Sequence, residues 1–157
     1  MKDFKLLRGS IKEFQNTQNQ NRFIPPSIQY EPMRMNRFLV TFPESFNVSP
    51  YFVRMVNRPS MIVRQHGLHE WEDIEITLYD PISPPISQNI FQLMNSDLIT
   101  QPMTFLIQML DPTGVTVSEW SIWGRVSSIN YGTLDYSDDS TTEIKMTISV
   151  SNAILNF

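Results

Sequence analysis

"TEIKMTISVS" (142–151) decides the fold. Its apolar residues Ile144, Met146, Ile148 and Val150 alternate with Glu143, Lys145, Thr147 and Ser149. Successive strand side chains point to opposite faces, so a period of two predicts a β-strand with one buried face. "DIEITLY" (73–79) repeats the pattern, with Ile74, Ile76 and Leu78 against Asp73, Glu75 and Thr77. "RFLVTF" (37–42) and "PYFVRMVN" (50–57) are rich in β-branched and aromatic residues and read as two more strands.

"MTFLIQML" (103–110) is more continuously apolar, as in a strand covered on both faces. "DPTG" (111–114) is a good turn, with Pro112 pre-set at its second position and Gly114 at its end. "VTVSEWSIWGRVSSINY" (115–131) holds one or two strands, with Gly124 as a bend or bulge. One helix interrupts the series. In "PISPPISQNIFQLMNSD" (81–97), Ser87 offers itself as N-cap, and Ile86 and Phe91 are spaced as a hydrophobic staple. Strands, one helix, then strands predict a mainly β protein: a small antiparallel β-barrel or sandwich with one flanking α-helix.

A chain of 157 residues fits one domain and is long enough to bury a sizeable core. No stretch approaches the roughly 18 consecutive apolar residues of a membrane helix. The start, "MKDFKLLRGSIKEF", has no long apolar run and carries Asp3, which argues against a secretory signal. Without cysteine there are no disulfides, thiolate metal sites or cysteine nucleophiles.

Charge is unevenly spread. Residues 1–37 hold seven Lys/Arg and three acids, for +4, and residues 38–157 hold five Lys/Arg and thirteen acids, for −8. "FKLLRGSIKEF" (4–14) has short amphipathic spacing, "QNTQNQNR" (15–22) reads as a linker, and the prolines of "FIPPSIQYEP" (23–32) hold the chain extended. Residues 1–32 therefore read as an extended basic N-terminal arm and 33–157 as the domain. An acidic body argues against a phosphate-gripping nucleic-acid reader.

Candidate chemistry is sparse. Both histidines lie in "HGLHEWED" (66–73) beside Glu70, Glu72 and Asp73, a set that could in principle suit zinc or iron. The stretch lacks the H-E-x-x-H pattern, and Gly67 between strand patterns favours a hairpin arm. Asp135, Asp138 and Asp139 could bind calcium, but they lack the D-x-[DN]-x-[DN]-G loop. Their spacing with Ser137, Ser140 and Thr141 favours a turn whose side chains bond local backbone. No nucleophile elbow, Walker loop or dinucleotide fingerprint is present, so an enzyme is not expected, nor a cofactor or metal. Trp71, Trp120 and Trp123 could stack on a sugar, or serve as core or subunit-contact residues.

Whole segments carry a resemblance. "MRMNRFLVTFP" (33–43), "YFVRMVNRPS" (51–60), "WEDIEITLYDPISPPISQ" (71–88), "EWSIWGRVSSINYGTLDYSDDS" (119–140) and the terminal "NAILNF" (152–157) together resemble the tail tube proteins of contractile-tailed bacteriophages, the T4-type tube family. The resemblance covers about residues 33–157 and is one of segments, not of a catalytic signature. It implies a small β-barrel subunit, six to a ring, with rings stacked into a hollow conduit for DNA ejection. The implied partners are other copies of the chain and the sheath, baseplate and terminator proteins, with DNA passing through the lumen unbound and no membrane insertion. The implied location is the virion tail, assembled in the host cytoplasm.

By position in that pattern, an inter-subunit hairpin would include Val63, Arg64, Gln65, His66, Gly67, Leu68 and His69. The loop with Asp135, Asp138 and Asp139 would face the next ring. Asp73, Glu75 and Glu143 are candidate lumen acids, since a negative wall repels phosphates. The long arm departs from the simplest tubes and leaves open a baseplate-proximal initiator or another tube-fold tail protein. A carbohydrate-binding β-sandwich is the more distant alternative.

Overall fold

The computed structural model describes residues 32–157 apart from Pro84. The expected arm lies outside the described residues, save for its last position. Eight strands and one α-helix follow in order: β1 Phe38–Thr41, β2 Val53–Val56, β3 Met61–Val63, β4 His69–Trp71, β5 Ile74–Tyr79, α1 Ile86–Met94, β6 Met103–Leu110, β7 Thr116–Asn130 and β8 Glu143–Asn156. Six of the strands form one antiparallel sheet in the order β1-β6-β7-β8-β5-β2. That sheet curls into a nearly closed barrel, the expected fold class. The 3-10 turn Pro50–Phe52, which leads into edge strand β2, lies against the other edge, β1. Among the described residues, strands β3 and β4 pair only with each other, as a separate hairpin.

The core follows the alternation read from the sequence. Ile144, Met146, Ile148 and Val150 of β8 and Ile74, Ile76 and Leu78 of β5 all point inward and are buried. β5 and β8 pair with Ile74 opposite Ile148, Ile76 opposite Met146 and Leu78 opposite Ile144, so the two apolar sets share one face. Among the described residues the expected double cover of β6 is not found. Phe105, Ile107 and Met109 are buried, whereas Leu106, Gln108 and Leu110 are only half-buried on the other face. The sheet therefore has one core face, as an antiparallel sheet can.

Helix α1 closes this core with Ile86, Ile90 and Leu93, a stripe at i, i+4 and i+7. Phe46, in the turn Glu44–Phe46, packs with Phe42 and Phe105 at ring-centroid distances of 6.0 and 5.5 Å. The helix begins two residues earlier than Ser87 as N-cap would allow. Pro85 is the N-cap, with extended backbone and no capping side chain. The vacant acceptor role falls to Asp80, whose Oδ1 accepts the Ser87 amide at 3.2 Å. Proline suits the boundary because its fixed φ permits helix entry. The staple fails as well, since Phe91 points to solvent and Ile90 takes the core position.

Residues 116–130 form one strand, with the bend expected at Gly124. Register slips there: Trp123 opposes Asn152 but Gly124 opposes Val150, leaving Ser151 as the extra residue. This bulge on β8 resets the phase, so Val150 and Ala153 both face inward although three positions apart. A Cβ on Gly124 would sit 2.5 Å from the Ser149 carbonyl oxygen. The two backbones thus approach as only glycine permits. Gly124→Ala is expected to lower stability by about 1–3 kcal/mol through this overpacking, read as a fall in Tm. A Tm within error of wild type would show that β8 yields freely.

Candidate functional site

Three surface features could carry function: the β3–β4 hairpin, the loop 131–142, and the sheet face turned away from the core. The hairpin contains every residue expected from Val63 to His69. Met61 pairs with Trp71, Ile62 with Glu70 and Val63 with His69. The Arg64 amide donates to the Leu68 carbonyl at 2.7 Å, which leaves Gln65, His66 and Gly67 as the tip. His66 (φ 70°) and Gly67 (φ 74°) both take the left-handed conformation. Glycine does so freely, and His is among the few side chains enriched there. The guanidinium of Arg64 donates to Glu70 at 2.9 Å across the ribbon.

The ribbon is unusual in its apolar load. Alternation puts Met61 and Val63 on one face and Ile62 and Leu68 on the other. All four are exposed, Val63 and Leu68 by 72% and 66%. A lone two-stranded hairpin is marginal in water. This one is anchored at its base, where Trp71 meets Trp120 of β7 edge-to-face at 6.4 Å. Such pairs add about 0.5–1.5 kcal/mol beyond area burial. Two of the three tryptophans thus hold the hairpin to the barrel. Trp123 is 48% exposed on the sheet's outer face. His66, at the tip, and His69, in β4, lie on this ribbon and not on a helix. Among the described residues no group of three His, Cys, Asp or Glu is placed to hold a metal ion.

The loop 131–142 is built from repeated side-chain-to-backbone turns. Asn130 Oδ1 accepts from the Gly132 amide at 2.8 Å, Asp135 Oδ1 from the Ser137 amide at 2.9 Å, and Asp138 Oδ1 from the Ser140 amide at 2.9 Å. The Ser137 hydroxyl adds a second bond to Asp135 at 2.7 Å. The turn reading of the sequence describes Asp135 and Asp138. Asp139 makes no such bond and stands exposed. A groove of about 690 Å³ runs between this loop and the outer face of the sheet. Tyr79, Tyr131, Leu134, Asp135, Asp138 and Lys145 are among its walls. The Tyr131 hydroxyl donates to the Met94 sulfur at 3.4 Å, which ties the loop to helix α1.

The candidate lumen acids do not form one cluster. Glu75 and Glu143 project from the outer sheet face, each beside a cation. Glu143 accepts from Arg54, and Glu75 lies 3.9 Å from Lys145. Asp73 is exposed just before β5. Next to them the Thr77 hydroxyl is buried with no hydrogen-bond partner, the one such side-chain atom among the described residues. Sequence reading missed Trp71 as an anchor and Arg54 and Lys145 as partners. Strand register brings the Arg54–Glu143 and Lys145–Glu75 pairs together, and the docking of the hairpin on the barrel brings Trp71 to Trp120.

Asp135 is held below the usual aspartate range first by the Ser137 amide, and Asp138 by the Ser140 amide. A carboxylate with a lowered folded pKa stabilises fully above its unfolded value, and that contribution is lost as pH falls through the folded value. The turns are therefore expected to hold at neutrality and to release only below about pH 4. Amide shifts of Ser137 and Ser140, followed by NMR, should move in that acid window. Asp135→Asn, which keeps the Oδ1 acceptor, should flatten the Ser137 titration. A transition well above that window would contradict the turn assignment.

No protein-family model matches the chain, and no curated protein matches it in sequence. Its fold is similar to chains of three solved assemblies. One belongs to the sheath–tube complex of the extracellular contractile injection system PVC in its extended state, with TM-score 0.58, 12% identity, 82% of this chain and 94% of that chain. One belongs to the sheath/tube terminator of the same system, with TM-score 0.57, 13% identity and coverage of 81% and 98%. One belongs to the anti-feeding prophage baseplate, with TM-score 0.56, 14% identity and coverage of 80% and 96%. At this identity the likeness is one of fold.

Proposed function

We propose that the chain is a structural subunit of a contractile tail tube. Six copies close into a ring, and rings stack into a hollow conduit through which DNA is ejected into a host. Sheath, baseplate and terminator proteins are its partners, and the virion tail, assembled in the host cytoplasm, is its place. Its role is architectural and calls for no catalytic group or cofactor. A fold shared over four-fifths of the chain with chains of an extracellular contractile injection system and of an anti-feeding prophage baseplate supports this reading.

The observation that carries it is the hairpin. Four exposed apolar side chains on both faces of an anchored ribbon need a cover that the described residues of one copy do not provide. Surface patches of this kind mark contacts with other chains. Edges β1 and β2 point the same way, since unpaired edges are hazards that assembly through strands removes. A head-to-tail contact repeated by rotation closes into a ring. A second reading, an end-of-tube subunit at the baseplate or the terminating ring, is favoured by the likeness to the baseplate and to the tube-terminating cap, the latter with TM-score 0.59 and 10% identity.

Electron microscopy of the purified full chain is expected to show six-fold rings. Long tubes would mark the main subunit and isolated rings the end piece. Val63→Glu with Leu68→Glu is expected to leave Tm nearly unchanged, because both sites are exposed, and to abolish rings. Rings that survive this double change, or monomers at every concentration and salt tested for the wild type, would overturn the reading.

A further inference from the structure

The strand register places the hairpin and the loop groove at opposite ends of the sheet. β2 runs from Val53, opposite Leu78, to Val56, opposite Ile76, and the Asn57 amide continues to the Glu75 carbonyl. The chain therefore leaves for the hairpin at the Ile74 end of β5. The loop 131–142 joins Asn130, opposite Lys145, to Glu143, opposite Tyr79, and so stands at the Tyr79 end. The hairpin carries His66 at its tip and Arg64 beside it on Glu70, with Arg58 before the ribbon and Glu72 and Asp73 at its base. The groove's loop wall offers Asp135 and Asp138, with Asp139 beside them.

We propose that the groove under loop 131–142 receives the β3–β4 hairpin tip of a second copy. The inference rests on the assembly reading above and assigns its receiving surface. Shape and chemistry both fit. The groove is about 690 Å³, within the range of pockets that hold a specific ligand. Tyr79, Tyr131 and Leu134, all exposed, give apolar ground for Ile62 and Leu68 of the incoming ribbon. Arg64, on Glu70 across its own ribbon, then approaches Asp135 and Asp138, and opposite charges fix register more than they add affinity. The acids are already oriented by their turns, so the surface is pre-formed and loses little entropy on docking. A donor at one end and a receiver at the other can be satisfied in series, each copy giving its hairpin to the next, as heterologous contacts propagate.

The absence of cysteine permits a clean test. Gln65→Cys and Thr133→Cys, both at exposed positions, are made as separate full-length variants and mixed under oxidation. A reducible dimer is expected from the mixture and neither from Gln65→Cys mixed with Val115→Cys nor from wild type. Adding Arg64→Glu to the hairpin variant should lower the cross-linked fraction roughly tenfold, and raising salt should act in the same direction. Electron microscopy of the same samples separates two failures. Rings or tubes without the Gln65/Thr133 cross-link would overturn this contact and leave the assembly reading standing. Monomers throughout would overturn both. Equal cross-linking with Val115→Cys would show random collision and overturn the contact.

Discussion

Everything in this molecule depends on how tightly β7 and β8 approach at Gly124. A six-stranded antiparallel sheet can lie open, with both edges bare, or curl until the edges nearly meet. Curling needs places where the ladder bends, and bulges and glycine supply them. Here the register slips at Gly124 and Ser151, where the β7 backbone stands too close to the Ser149 carbonyl for any Cβ. The bend keeps Val150 and Ala153 both inward. It also curls β1 and β2 toward each other, so one helix and one phenylalanine-bearing turn suffice to close the core. Without the curl, α1 with its three buried apolar residues would leave much of the face uncovered.

Once the barrel is nearly closed, the hairpin has no place in it. β3 and β4 lie between β2 and β5, which are themselves paired, so the ribbon must leave the sheet and return. The Trp71–Trp120 contact gives it a fixed root. A rooted ribbon with apolar residues on both faces loses less entropy on docking than a free loop would. Under the proposed assembly, this would link the packing inside one copy to the cover that a neighbour supplies.

The alternating strands were legible because their period matches the pleat, as Ile144 to Val150 and Ile74 to Leu78 show. Gly124 announced its bulge because glycine inside a strand has few other uses. Ser151 did not, since nothing in a serine marks it as the extra residue. The helix start was misplaced because Pro85 offers no side-chain acceptor and its substitute, Asp80, lies across the proline-rich run. Asp135 and Asp138 were legible as turn residues from their spacing to serine. The groove was not, because its walls come from β5, β7, β8 and β2, and only the register assembles them. Trp71 and Trp120 are far apart in sequence, and no local pattern predicts that two such rings will meet.

The charges complete the argument about direction. Sequence alone suggested an acidic body that repels DNA. The sheet's outer face is more balanced, with Arg54 on Glu143 and Lys145 near Glu75. Exposed pairs of this kind contribute about 0–1 kcal/mol, so they do not explain why the fold holds. Their effect is to leave the outer face near neutrality, while Asp135, Asp138 and Asp139 stand together on the loop. In the proposed contact the loop acids would meet Arg64 of the incoming hairpin, which gives two copies a preferred direction. Wrong orientations bring the loop acids against each other, and like-charge contact costs several kcal/mol when desolvated. Polarity along the strands would thus set which way each subunit points, while the apolar ribbon supplies the affinity.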